Sequence, residues 1–187
     1  MNIADAQREM RTRYAGGFYG QLVSGLLWLL SASLATWGTS RAAITTLVLG
    51  GFLIFPLTDL LANAHGKRPP LSPANSLKLL GMQVAFVLPL SMPLLLPVAQ
   101  FRLNLFFPAM TILLGAHYCP FAFLYGMPAF GVLAGVLVTG GVAIAMNFAH
   151  GFSTAAWFTA ITLLVFAMFG RAAIQHETAR RAEMPGG

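Results

Sequence analysis

Five polar side chains stand inside otherwise apolar runs, and their types could do chemistry: Gln21, Asp59, Gln83, His117 and Tyr118. An imidazole titrates near neutrality and can relay protons. A carboxylate can hold a cation or a proton. Amides and a phenol both donate and accept hydrogen bonds, as a polar solute requires. Asp59 is the only acidic residue within such a run, in FPLTDLLANAH; His117 and Tyr118 adjoin in GAHYCPFAFLYGMP, residues 115–128. Each also has a structural reading. Asp59 would pair with Lys67, Arg68, Lys78 or Arg171 at a membrane interface, and His117 would hydrogen-bond a neighbouring helix. Metal binding is not expected. His65 and His150 read as loop residues and His176 as tail, without zinc-site spacing. Cys119, the only cysteine, excludes an intramolecular disulfide and a CxxC site and reads as unreactive. No nucleophile triad, phosphate-binding glycine loop or paired carboxylates occur, and no cofactor is expected.

These residues must be positioned by helices in lipid. Of 187 residues, 57% are hydrophobic and 9% charged, against about 25% charged in soluble domains. Too few charges remain to coat a hydrated surface. The apolar runs approach the roughly 20 residues that cross a 30 Å hydrocarbon core. They do not alternate as porin strands do. In lipid the backbone must be paired within each segment, so the runs are helices.

Six spans are expected, at 17–38, 43–64, 77–99, 105–126, 128–146 and 154–174. They form one all-α transmembrane domain, with an amphipathic segment at 1–16 and a tail at 175–187. In the first segment Ile3, Met10 and Tyr14 share a stripe, and Glu9 is placed to pair with Arg13. A cleaved signal is not expected, because the apolar stretch runs past SASLA to Trp37 and Asp5 and Glu9 dilute the basic leader. Residues 65–76 are the one long loop, with Ser72-Pro73 a candidate helix start. The short link YGMP makes the fourth and fifth spans antiparallel neighbours, with Gly126 closing one helix and Pro128 opening the next.

Lysine and arginine set the orientation. With the N-terminus inside, Arg8, Arg11, Arg13, Lys67, Arg68, Lys78, Arg171, Arg180 and Arg181 are cytoplasmic, while only Arg41 and Arg102 are outside. This accounts for the net charge of +6 without a nucleic-acid partner. Trp37 at the outer edge and Tyr14, Tyr19 and Tyr125 at the inner edge suit aromatic belts. His117 then lies about 18 Å along its helix and Asp59 about 24 Å along its own, so the five polar residues and Asn63 gather in the inner half.

Two features have both structural and functional readings. Pro89, Pro93 and Pro97 predict a bent or unwound outer half of the third span, a plain kink or a solute-lining break. Gly131 and Gly135 form GxxxG, serving packing inside the bundle or contact between two copies. LVLGGFLI (47–54) and LVTGGVAI (137–144) look alike, but the same offset fails to align other spans, so no repeat is drawn.

The motif GAHYCPFAFLYGM, with the six-span layout, resembles an uncharacterised family of small bacterial integral membrane proteins. The resemblance covers mainly residues 113–128. It implies the bacterial cytoplasmic membrane and brings no activity, ligand or catalytic residue. The leading expectation is a small transporter-like protein with an inward-facing site for a small solute or proton. The alternatives are a membrane-embedded enzyme acting on a lipid or lipid-linked substrate, and a non-catalytic scaffold or regulatory subunit.

Overall fold

The computed structural model describes residues 1–66, 69–148 and 151–182, with side chains as far as residue 170. Lys67, Arg68 and His150, and the side chains of Arg171, His176, Arg180 and Arg181, therefore lie outside the described residues.

Every regular element among the described residues is helical: α1 (Ile3–Tyr14), α2 (Phe18–Trp37), α3 (Ser40–Gly51), α4 (Ile54–Ala64), α5 (Leu77–Ser91), α6 (Leu95–Phe101), α7 (Phe106–Tyr125), α8 (Ala129–Asn147) and α9 (Thr154–Ala182). The chain is an all-helical polytopic membrane bundle. Four segments are long and apolar enough to cross a membrane: Ile3–Trp37, Leu77–Phe101, Leu103–Tyr125 and Ala129–Asn147. The pair α3–α4 adds a fifth if it counts as one broken span, and Thr154–Gly170 is a shorter apolar helix.

Local chemistry sets the breaks. Asn2 caps α1 by accepting from the Asp5 N–H at 2.9 Å. Ala15, Gly16 and Gly17 then take positive φ (49°, 55° and 81°), and α2 starts in a new direction. The expected single span at 43–64 bends by 59° between α3 and α4. The bend follows Gly50-Gly51, and Pro56 has no N–H to offer the Phe52 carbonyl. The third span is interrupted where its prolines fall, with a 3₁₀ turn at Met92–Leu94 between α5 and α6. Its helix starts at Leu77, not at Ser72-Pro73. Residues 72–75 instead make a turn, in which Ser72 Oγ accepts from the Ala74 N–H and Asn75 Oδ1 accepts from Leu77. Gly126 ends α7 in the left-handed conformation (φ 59°), and Pro128 stands at the start of α8. The α9 backbone continues to Ala182, past the expected end of the sixth span.

Two antiparallel pairs dominate, α7 with α8 and α2 with α9. Their seams are closed by Trp28, Phe107, Phe130, Leu133, Leu137 and Leu163, all essentially buried. Thr111 of α7 meets Thr159 of α9 at 2.7 Å inside this core. Gly115 and Gly141 let α7 and α8 approach. A Cβ on Gly115 would lie 2.9 Å from the Val138 nitrogen, and one on Gly141 3.1 Å from the Pro108 carbonyl oxygen. Gly131 and Gly135 do not pack in the bundle. A Cβ on either would meet nothing within 4 Å, because that stripe of α8 faces away from α7. Tyr19 and Tyr125 are buried in protein rather than standing in a belt. At the far end Trp37 meets Trp157, whose indole N–H donates to Thr36.

Candidate functional site

The side of α2 turned into the bundle carries Gln21, Ser24, Trp28 and Ser31, at helical spacing and all buried. Three of the four are polar, and their hydrogen bonds differ. Ser31 donates to the Ala43 carbonyl of α3 at 2.9 Å. Ser24 faces Tyr118 of α7. Gln21 is 2% exposed, and neither atom of its amide has a hydrogen-bond partner among the described residues. Across from it on α9 stands Gly170, whose missing Cβ would come no nearer than 4.0 Å to Gln21 Oε1. A buried, unmade amide bond costs about 1–3 kcal/mol per group, so this is where the fold leaves hydrogen-bonding capacity unused.

Tyr118 is buried, and His117 beside it is half-buried. The imidazole faces the Val84 backbone of α5. It meets the rings of Phe121 and Tyr118 at centroid distances of 5.2 and 5.8 Å. Its Nδ1 is buried without a hydrogen-bond partner. Phe121, Tyr125 and Phe130 continue the aromatic wall toward the α1 end of the bundle, and Phe166 joins it from α9.

The other two predicted residues lie elsewhere. Asp59 on α4 accepts from Arg13 Nη2 at 3.3 Å and from Asn63 Nδ2 at 3.2 Å, and its side chain is 46% exposed. Its cation is thus an arginine of the N-terminal helix, whose last turn lets the Arg13 side chain reach across to α4. Of the expected partners, Lys78 is not its ion-pair partner, and the other three fall outside the described side chains. Gln83 is exposed. α5 packs through Leu77, Gly81, Val84 and Leu88, and Gln83 stands about 100° around the helix from Val84. Asp59 and His117 therefore have separate neighbours and do not form a pair.

Two members of the polar set escaped sequence reasoning. Ser24 is one turn from Gln21, and that spacing was the available signal. The Thr58 hydroxyl is buried without a partner among the described residues and faces Gly20 of α2; no pattern in the sequence marks it. Among the described residues no three His, Cys, Asp or Glu side chains come together to hold a metal.

Residues 3–172 match the model of a family of unknown function, DUF7010. The chain belongs to that family. The match runs from the first residue of α1 into α9, so the N-terminal helix is part of the family unit. No curated protein and no solved structure matches the chain. The family is membrane-associated, and the several apolar helices make the chain a multi-pass membrane protein.

Proposed function

We propose that this protein is a six-span protein of the bacterial cytoplasmic membrane, both termini inside, that binds and moves a small uncharged solute or a proton. The observation that carries the proposal is Gln21, an amide buried at 2% exposure whose two hydrogen-bonding atoms find no partner among the described residues. Ser24, one turn along α2, supplies a hydroxyl next to it, Tyr118 supplies one next to Ser24, and His117 supplies a group able to exchange a proton. Charge argues for a neutral solute. Asp59 is engaged by Arg13, and no other carboxylate among the described residues is placed to balance a cation held at Gln21, so a cation other than a proton taken up by His117 would be buried there at a cost of several kcal/mol. Lysine and arginine placement supports the orientation, which puts α1 and this polar set on the cytoplasmic side. The broken spans α3–α4 and α5–α6 support movement, since interrupted helices recur around midplane sites in transporters.

The test is flux into proteoliposomes: glycerol and urea by light scattering, protons by an entrapped pH dye. Wild type should exceed protein-free vesicles for at least one probe, and Gln21→Met should lose that excess. No excess for any probe, or a Gln21→Met variant equal to wild type, would remove the proposal.

A further inference from the structure

The N-terminal helix is tied to three separate parts of the bundle by polar contacts. Arg13 reaches Asp59 on α4. Glu9 accepts from the Ser72 N–H at 2.8 Å and from Asn75 Nδ2 in the turn before α5, rather than pairing with Arg13 as the i, i+4 spacing predicts. Asn75 Nδ2 also donates to the Ala6 carbonyl. Gln7 Nε2 donates to the Phe123 carbonyl at 2.6 Å, and Arg11 Nη1 donates to the Tyr125 carbonyl. Both carbonyls lie in the last turn of α7, where that of Phe123 also accepts from the Gly126 N–H at 3.1 Å and a cation is favoured by the helix dipole.

The apolar hold of α1 is small by comparison. Only Ala6 and Met10 are buried in it. Met10 fits against Gly81 of α5, where its Cε lies 3.3 Å from the Cβ position. The predicted stripe is divided: Met10 is buried against protein, while Ile3 is 52% exposed. The helix lies across the ends of α5 and α7. Tyr125, which Arg11 caps, is seven residues below Tyr118, about 10 Å along the helix. The hinge is the left-handed run Ala15–Gly17, and Gly17 is required there twice over. Its φ is +81°, and a Cβ would meet the Phe130 ring at 3.0 Å.

We infer that α1 is a releasable clasp over this end of the bundle, holding α4 and α5 against the core and closing the approach to Gln21, Ser24 and Tyr118. This rests on the solute-site reading above. α4 and α5 are the elements such a clasp would control, because each has one main neighbour of its own, α2 and α7 respectively. Apart from the buried Asn75–Ala6 bond, the clasp contacts are exposed or part-buried hydrogen bonds and one ion pair, a kind that salt and competing water weaken and that contributes little individually. Releasing α1 frees both peripheral helices at once.

The test reads accessibility directly. In a Cys119→Ser background, Ser24→Cys is labelled with a membrane-impermeant maleimide. Replacing Glu9 and Arg13 with glutamine should speed labelling by about tenfold, the shift expected from losing an ion pair and charge-assisted hydrogen bonds together. Raising NaCl on the protein with native α1 should act in the same direction, which separates release from misfolding of the variant. As a second measurement, Met10→Cys and Gly81→Cys are joined by a short bifunctional thiol reagent, with Ser24 retained. Their cross-linking yield should fall under the same two treatments. Labelling and cross-linking that both stay flat would overturn the clasp. Labelling that accelerates without glycerol, urea or proton flux in any form would leave the clasp standing and remove the transport reading.

Discussion

Replacing Gln21 with methionine should make the protein more stable while removing its proposed activity. The two side chains have nearly the same length and volume, so no cavity opens. The change deletes a buried amide whose nitrogen and oxygen have no partners among the described residues. An unsatisfied buried polar group costs about 1–3 kcal/mol, and the expected gain is of that size. Ser31, three turns along the same buried side of α2, is the control. It donates to the Ala43 carbonyl at 2.9 Å, and both residues are fully buried. Ser31→Ala should therefore destabilise, by about 0.5–1.5 kcal/mol, toward the low end because interhelical bonds in membranes average less. Unfolding in mixed micelles with increasing SDS, read by tryptophan fluorescence, measures both; Trp28, buried against Phe107, is the reporter between them. A Gln21→Met variant that loses 1 kcal/mol or more would mean that the amide is hydrogen-bonded in the native state. The site reasoning would then have no foundation.

The glycines divide by the space around them. Gly115→Ala and Gly141→Ala should each cost about 1–3 kcal/mol, because the new methyl meets backbone atoms that cannot swing away. Gly131→Ala and Gly135→Ala should be neutral or gain up to about 1 kcal/mol from helix propensity; loss of self-association on cross-linking, without loss of fold, would put a second copy on that face. For the buried Thr111–Thr159 pair, a double-mutant cycle with valine at each position should give a coupling of about 0.6 kcal/mol. A coupling indistinguishable from zero, with additive single effects, would show that each hydroxyl bonds only its own helix, Thr111 to Phe107 and Thr159 to Ala155.

What could be read beforehand was local. Turn chemistry at YGMP gave the α7–α8 hairpin, because Gly126 and Pro128 act within a few residues of themselves. The prolines of the third span foretold its interruption for the same reason. Which side of a helix faces protein was not legible. In water, hydrophobicity marks the buried side; in lipid, both sides are apolar, and the distinction passes to size and fit. α5 shows the consequence. It is apolar all round, so Gln83 was assigned inward on polarity alone, although Val84 is the residue that meets α7. The GxxxG of α8 does not serve packing inside the bundle; there the close approach of α7 and α8 falls to Gly115 and Gly141, at the crossing itself. Long-range partners were equally hidden. Glu9 had an arginine one turn away and instead took groups 63 and 66 residues distant, a choice fixed only once α1 folds back. The candidate site follows from both halves of this. Polarity in an apolar run identified Gln21, Tyr118 and His117. That Gln21 lacks a partner among the described residues is a property of the packing of α2 against α9, and this missing bond is what distinguishes it from Ser31 on the same side of the same helix.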